Sequence, residues 1–275
     1  MTTPVAMTIT LARTAAFATL LLTTAPVEAA ESAFASAPQR AERSAARLLS
    51  AGPVTNGVYH AGLEIALLPE TVTYWRQPGE AGSPPVFDFS RSENVARIET
   101  LYPTPKHIEE AGSFVAGYDA LVVFPLRVTP RDPKAPVRLN LSLDYAACGK
   151  ICLPAQAKLA LDLPQSGASP FAGAIDAAER QTPKKISESD ARRLIALTRE
   201  NKSETKWRLR AAGAERVIDI FPEAPEPLFL DVKPAGGGGF ELALEAAAGK
   251  APTPVTATLT IITDKGAYEA PAKLE

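Results

Sequence analysis

Short runs of alternating apolar and polar residues, cut by turn residues, recur along this chain and leave room for little besides β structure. Val137 to Tyr145 (VRLNLSLDY) and Ala157 to Leu163 (AKLALDL) alternate cleanly, the period-2 mark of strands with one face buried. Val58 to Leu68, Val72 to Arg76, Val95 to Tyr102 and Ala120 to Val128 read as further strands. Ala46 to Ala51 fits a helix end or a strand equally, because six residues do not separate the two periods. Pro125, inside the run ALVVFPLRV, marks an edge strand or a bulge. Pro103 to Gly117, rich in charged and small residues, reads as a loop. Roughly seven short strands over about 120 residues, with turn signals between them, predict a β-sandwich.

The pattern changes after residue 165. Gln165 to Lys185 reads as a linker with a helical turn or two near Pro170 to Arg180. Ser187 to Asn201 opens on Ser and Asp and carries an apolar stripe at Leu194, Ile195 and Leu197, so a helix is expected there. Strands then return over Lys206 to Ala211, Val217 to Phe221, Leu228 to Lys233, Phe240 to Glu245 and Val255 to Thr263. Gly236 to Gly239 reads as a loose hairpin loop rather than a phosphate cradle, since no helix follows to supply amide groups.

The fold class expected is therefore mainly β: a sandwich followed by a smaller β-rich domain with one helix. The expected boundaries are 1–29 signal peptide, 30–44 flexible leader, 45–165 sandwich, 166–186 linker and 187–275 helix plus strands.

The first 29 residues set the address. Arg13 precedes the apolar stretch Thr14 to Pro26, and Val27-Glu28-Ala29 places small residues at a cleavage position. The apolar run is shorter than the roughly 20 residues an anchor helix needs. A periplasmic chain without a transmembrane segment after cleavage is expected. The net charge of −2 gives no electrostatic case for nucleic acid or an anionic membrane surface.

Export gives the two cysteines their meaning. Cys148 and Cys152 are the only cysteines in the chain, and an oxidising compartment lets such a pair exist as a disulfide. Residues four apart on an extended strand lie about 13 Å from each other, whereas a disulfide needs Cα atoms within about 7 Å. The chain must therefore turn between them, at Gly149. Closing so short a loop contributes only about 2 kcal/mol in the chain-entropy model, against nearly 5 for a loop of 100 residues. A tight loop also favours a reducible bond. The spacing thus leans toward thiol–disulfide exchange. A structural disulfide in an envelope binding or assembly module is the alternative. A Cys2His2 metal set would have to be built from His60 and His107 on separate loops. No metal or cofactor is expected, since the sulfurs themselves carry the electrons. No histidine lies in a recognisable nucleophile–base arrangement, which leaves a hydrolase without support.

A set of landmarks around these features resembles a known family. It runs through Gly62-Leu63-Glu64-Ile65, Thr73-Tyr74-Trp75-Arg76-Gln77-Pro78-Gly79, Ser92-Glu93-Asn94-Val95, Tyr102-Pro103-Thr104-Pro105 and Gly117-Tyr118, and ends on Asp144-Tyr145-Ala146-Ala147-Cys148-Gly149-Lys150-Ile151-Cys152-Leu153-Pro154. Over about residues 45–165 the chain resembles the periplasmic amino-terminal domain of DsbD-type thiol:disulfide interchange proteins, and most closely the ScsB branch. The resemblance implies an immunoglobulin-like sandwich and a redox-active Cys148/Cys152 pair. It implies thioredoxin-like periplasmic partners and a separate membrane electron donor. It gives Cys152 the mixed disulfide with the partner and Cys148 the resolving role. It also places Tyr74 and Trp75 near the disulfide, and a cap loop at His107 to Gly112 that carries the acidic Glu109 and Glu110. The aromatic cap of the family aligns with Ala111, with Phe114 as the nearby aromatic substitute. Each of these has a plainer reading: Tyr74 and Trp75 as core, Glu109 and Glu110 as solvated loop charges. Lys150, between the cysteines, either favours thiolate or is an ordinary turn lysine. Arg76 reads as a structural ion-pair partner.

Overall fold

The computed structural model describes residues 33–79, 81–110, 112–201 and 205–275. The segment expected as a signal peptide, 1–29, lies outside these residues.

Two sheets build the first domain. One has the order β1-β2-β3-β9-β6, with β1 at Gln39–Arg40, β2 at Ser44–Ser50, β3 at Tyr59–Leu67, β6 at Val95–Thr100 and β9 at Leu121–Pro130. The other has the order β11-β10-β4-β8-β7, with β5 also paired to β10. Its strands are β4 at Val72–Tyr74, β5 at Val86–Asp88, β7 at Lys106–Glu110, β8 at Ser113–Asp119, β10 at Val137–Cys148 and β11 at Cys152–Leu163. Leu139, Leu141 and Leu143 of β10 are buried at every second position, as are Ala157, Leu159 and Leu161 of β11. They meet Leu63, Ile65, Phe124 and Leu126 of the opposing sheet in one core. The alternation of the sequence is thus the inner face of an immunoglobulin-like sandwich.

Several local expectations change. Ala46 to Ala51 is strand: β2 covers Ser44–Ser50. Residues 103–117 are not a loop, because β7 and β8 form an antiparallel hairpin from Lys106↔Gly117 to Glu110↔Ser113. Pro125 is in an interior strand, between β3 and β6. It is tolerated because β6 stops short of it: the last β6 pair is Thr100↔Leu126, and beyond it the Pro125 carbonyl accepts from the Leu101 amide at 2.8 Å. The segment expected as a flexible leader carries structure from residue 33 onward. Phe34 and Ala35 are buried, and β1 pairs with β2.

The expected linker is also built in. Helix α1, Ala172–Arg180, buries Ile175 against Ala35 and Leu49 of the first domain. Its Glu179 accepts from His60 Nδ1 at 2.7 Å. After α1, β12 (Lys184–Lys185) adds in parallel to the last strand of the chain.

The second domain is a smaller pair of four-stranded sheets, β12-β19-β18-β15 and β13-β14-β17-β16. Their strands are β13 at Ile195–Arg199, β14 at Lys206–Ala211, β15 at Val217–Glu223, β16 at Leu228–Ala235, β17 at Gly239–Ala246, β18 at Val255–Thr263 and β19 at Ala267–Leu274. The helix expected over 187–201 is only α2, Glu188–Leu194. Its start is as read: the Ser187 hydroxyl caps it by accepting from the Asp190 amide at 3.1 Å. The end differs because Ile195 to Arg199 pair with Ala211 to Trp207 as a strand. A tertiary partner overrides helix propensity there. The glycine run forms the turn between β16 and β17, with Gly237 and Gly238 at φ +76° and +72°, a region that favours glycine.

The two domains share side chains. Phe221 of β15 belongs to the core of the first domain, edge-on to Trp75 at 5.9 Å and stacked on His107 at 4.3 Å. Arg76 donates through Nε and Nη2 to both oxygens of Glu223, at 2.7 and 2.6 Å, and also to Glu269. Its guanidinium lies over Trp75 and Tyr102. The structural role read for Arg76 in the sequence is therefore specific: it ties the second domain to the first.

Candidate functional site

The cysteines face each other at the end of a long hairpin. The β10/β11 ladder keeps strict register from Val137↔Leu163 to Cys148↔Cys152, leaving Gly149, Lys150 and Ile151 as the connecting turn. Cys148 and Cys152 are joined as a disulfide, with Cα atoms 3.9 Å apart. The turn required by the sequence spacing is this one. Gly149 is needed there for space, not for an unusual φ: a Cβ on it would stand 2.6 Å from Arg43 Nη1 and 3.0 Å from the Glu70 carbonyl oxygen.

The two sulfurs occupy different environments for a topological reason. Cys148 has β11 on one side and β4 on the other, through Cys148↔Val72, and is 1% exposed. Cys152 opens the edge strand β11 and is exposed. Beneath them, Tyr74, Val115, Ala146 and Cys148 form a small buried cluster, with Val72 and Ile108 against it.

Tyr74 and Glu110 complete the site. Tyr74 is fully buried. Its hydroxyl donates to both Glu110 oxygens, at 3.0 and 2.8 Å, and stands 3.8 Å from Cys152 Sγ. Burial, and then the Glu110 carboxylate, hold this phenol well above its ordinary pKa, so it stays a donor. A carboxylate oxygen of Glu110 and both sulfurs lie within 4.8 Å of one another.

The remaining residues picked from the sequence are divided by the hairpin. Directly paired residues of an antiparallel ladder share a face, and neighbours along a strand alternate. Glu110 and Ile108 therefore face the disulfide cluster, whereas Glu109, paired with Phe114, faces away. Phe114 does not cover the disulfide. It is 69% exposed, stands edge-on to His107, and lines a cleft of about 980 Å³ between the domains together with Phe221 and Phe229. Trp75 is also away from the sulfurs, in the core and against Phe221. Ala111, the position aligned with the family's cap, lies outside the described residues. Lys150 is exposed in the turn.

Neither histidine joins the cysteines: His60 pairs with Glu179 and His107 with Asp219 at 3.2 Å. Sequence reasoning missed Arg43, which packs beside Gly149, and Phe221, the residue of the second domain that enters the first core. It also left Glu109 and Glu110 undivided; the parity of β7 separates them once the hairpin is known.

An immunoglobulin-like sandwich thus closes a disulfide across a hairpin end, with Cys148 buried and Cys152 exposed. Residues 41–164 match the family described as thiol:disulfide interchange protein DsbD, N-terminal, and this stretch is a DsbD-type N-terminal domain. The solved N-terminal periplasmic domain of ScsB from Proteus mirabilis is similar over both domains: TM-score 0.68, 19% identity, 87% of this chain and 98% of that one. At that identity the likeness shows the fold. No curated protein matches the chain. Among the described residues, no helix is long and apolar enough to cross a membrane.

Proposed function

We propose that this chain is a periplasmic thiol–disulfide exchange protein that passes electrons between envelope redox partners through Cys148 and Cys152. The observation that carries the reading is the unequal exposure of the two sulfurs. A disulfide is broken by in-line attack of a thiolate on one sulfur, while the other leaves as thiolate. Cys152 is the exposed residue of the pair and Cys148 the buried one, which favours Cys152 as the sulfur that meets a partner. In the reducing direction, the Cys152 thiolate attacks a disulfide of a thioredoxin-like partner. The partner's distal sulfur leaves with the electron pair and takes a proton. The Cys148 thiolate then attacks Cys152 Sγ, re-forms the Cys148–Cys152 bond and releases the partner as a dithiol. Two electrons and two protons reach the partner. A separate electron donor, at the membrane, restores the reduced pair.

Glu110 tunes the step. A carboxylate beside the sulfurs disfavours thiolate and offers an acceptor for the thiol proton. Tyr74 fixes that carboxylate by its hydroxyl. Glu109 and Phe114 belong to the other face of the hairpin and have no place in this chemistry.

Trapping tests the reading. A Cys148→Ala chain, reduced and mixed with an oxidised thioredoxin-like protein, should hold a mixed disulfide through Cys152, and Cys152→Ala should hold none. The bond's potential should lie above about −300 mV, the region below which structural disulfides fall. A potential well below that, with no trapped species, leaves the structural disulfide of a binding or assembly module.

A further inference from the structure

We propose that the reduced form of this chain binds one thiophilic divalent cation of the zinc type, through Cys148 Sγ, Cys152 Sγ and one carboxylate oxygen of Glu110. It concerns the sulfurs used in the exchange reading, and it rests on that reading only in requiring that the pair be reducible. Among the described residues, these three donors form the one group of cysteine, histidine or carboxylate side chains whose ligand atoms lie within 4.8 Å of one another. Zinc–sulfur bonds of about 2.3 Å and zinc–oxygen bonds of about 2.0–2.2 Å place tetrahedral ligands roughly 3.5–3.8 Å apart. The donors thus need only small side-chain adjustments to converge once the sulfur–sulfur bond is open. Cys152 has room for its adjustment, since it is itself exposed at the start of β11.

The surroundings fit a bound cation. A carboxylate has two oxygens, and Tyr74 donates to both, at 2.8 and 3.0 Å. One oxygen can turn to the metal while the other keeps the Tyr74 hydroxyl, the outer hydrogen bond that orients a metal-bound carboxylate. Two thiolates and a carboxylate bring three negative charges to one divalent ion. The nearby cation at the turn is the Arg43 guanidinium, packed against Gly149. Three protein donors leave a tetrahedral ion one further ligand, which water would supply. The reaction balances without an oxidant: the two thiols lose two protons and gain two metal–sulfur bonds. The disulfide has no thiolates to offer, so the site exists only in the reduced state. A bound ion holds back both thiolates from exchange.

Cobalt(II) is the probe, because its thiolate complexes absorb in the near ultraviolet and zinc displaces it. The full chain, reduced and freed of reductant under anaerobic conditions, should show a thiolate-to-cobalt band that saturates at one ion per chain. Zinc should remove that band, and the oxidised chain should lack it. Cys152→Ala should abolish the band. Glu110→Gln should keep the sulfur band but weaken binding at least about tenfold, and Tyr74→Phe should weaken it by about 10- to 100-fold. Circular dichroism of each variant separates lost binding from lost fold. Absence of the band in the reduced chain, or equal affinity in a folded Glu110→Gln, overturns the proposal. The exchange reading fails separately: a chain that traps a partner but binds no cobalt sinks the metal site alone. A chain that binds cobalt but traps nothing sinks the exchange reading alone.

Discussion

The Tyr74 hydroxyl donates to both oxygens of Glu110 while standing 3.8 Å from Cys152 Sγ. One buried phenol therefore holds the carboxylate and reaches the Cys152 sulfur. Tyr74→Phe removes the donor and leaves the carboxylate charge undispersed beside the thiols. The variant should be less stable by about 1–2 kcal/mol, read from urea unfolding. In the reduced variant the pH midpoint for alkylation of Cys152 should move up. An unchanged midpoint would remove Tyr74 from the chemistry and leave it as core.

Exposure predicts an order of modification. In the reduced chain a brief pulse of iodoacetamide should label Cys152 well before Cys148, which is 1% exposed. Peptide mapping by mass spectrometry reads the two sites separately. Equal rates would contradict the assignment of Cys152 as the sulfur that meets partners.

Gly149 predicts a steric cost. An added Cβ would press on Arg43 Nη1 at 2.6 Å and on the Glu70 carbonyl at 3.0 Å. Arg43 is the flexible end of a side chain, but Glu70 contributes backbone. Gly149→Ala should cost about 1–3 kcal/mol, the usual range for overpacking. Adding Arg43→Ala should recover only part of it, as measured by chemical denaturation of the single and double variants.

The second domain hangs on Arg76. Replacing Arg76 by Met leaves Glu223 and Glu269 without their shared cation in a partly buried setting. A loss of about 3 kcal/mol is expected, at the low end for breaking a buried pair. Limited proteolysis should cut the variant near residues 164–171, between β11 and α1, faster than the parent chain.

His107 adds a pH dependence to the same interface. Its hydrogen bond to Asp219 raises its pKa above the ordinary value, against the opposing effect of burial. The sign follows from linkage: a raised folded-state pKa contributes stability that is fully present below about pH 6.5, the unfolded value, and is lost as pH rises through the folded one. The histidine is a third exposed, so the effect should not exceed about 1 kcal/mol. Thermal unfolding from pH 5.5 to 8.5 should show this decline in the parent chain, and His107→Gln should flatten it.

The sandwich was legible because β10 and β11 alternate over long stretches, and burial against a second sheet preserves that alternation. The disulfide turn was legible because a covalent constraint limits the chain geometrically. What the sequence hid depends on partners far along the chain. Ile195 to Arg199 look helical until β14 pairs with them. Lys106 to Glu110 look like a loop because β7 is a charged edge strand, and its only sign is weak alternation. Trp75 and Tyr74 are neighbours in sequence, yet alternation sends Tyr74 under the disulfide and Trp75 toward Phe221. Phe221 itself gave no sign that it would enter the first core, since nothing local marks which residue of a strand serves a neighbouring domain.

The ladder of β10 and β11 runs unbroken to the cysteines themselves. Cutting the disulfide frees a three-residue turn and nothing else, because the backbone pairing above it already holds the strands together. Oxidised and reduced chains should then present one silhouette to any partner. A partner that discriminates between them cannot sense a change of shape at a distance; it has to touch the sulfur to learn whether there is anything to trade.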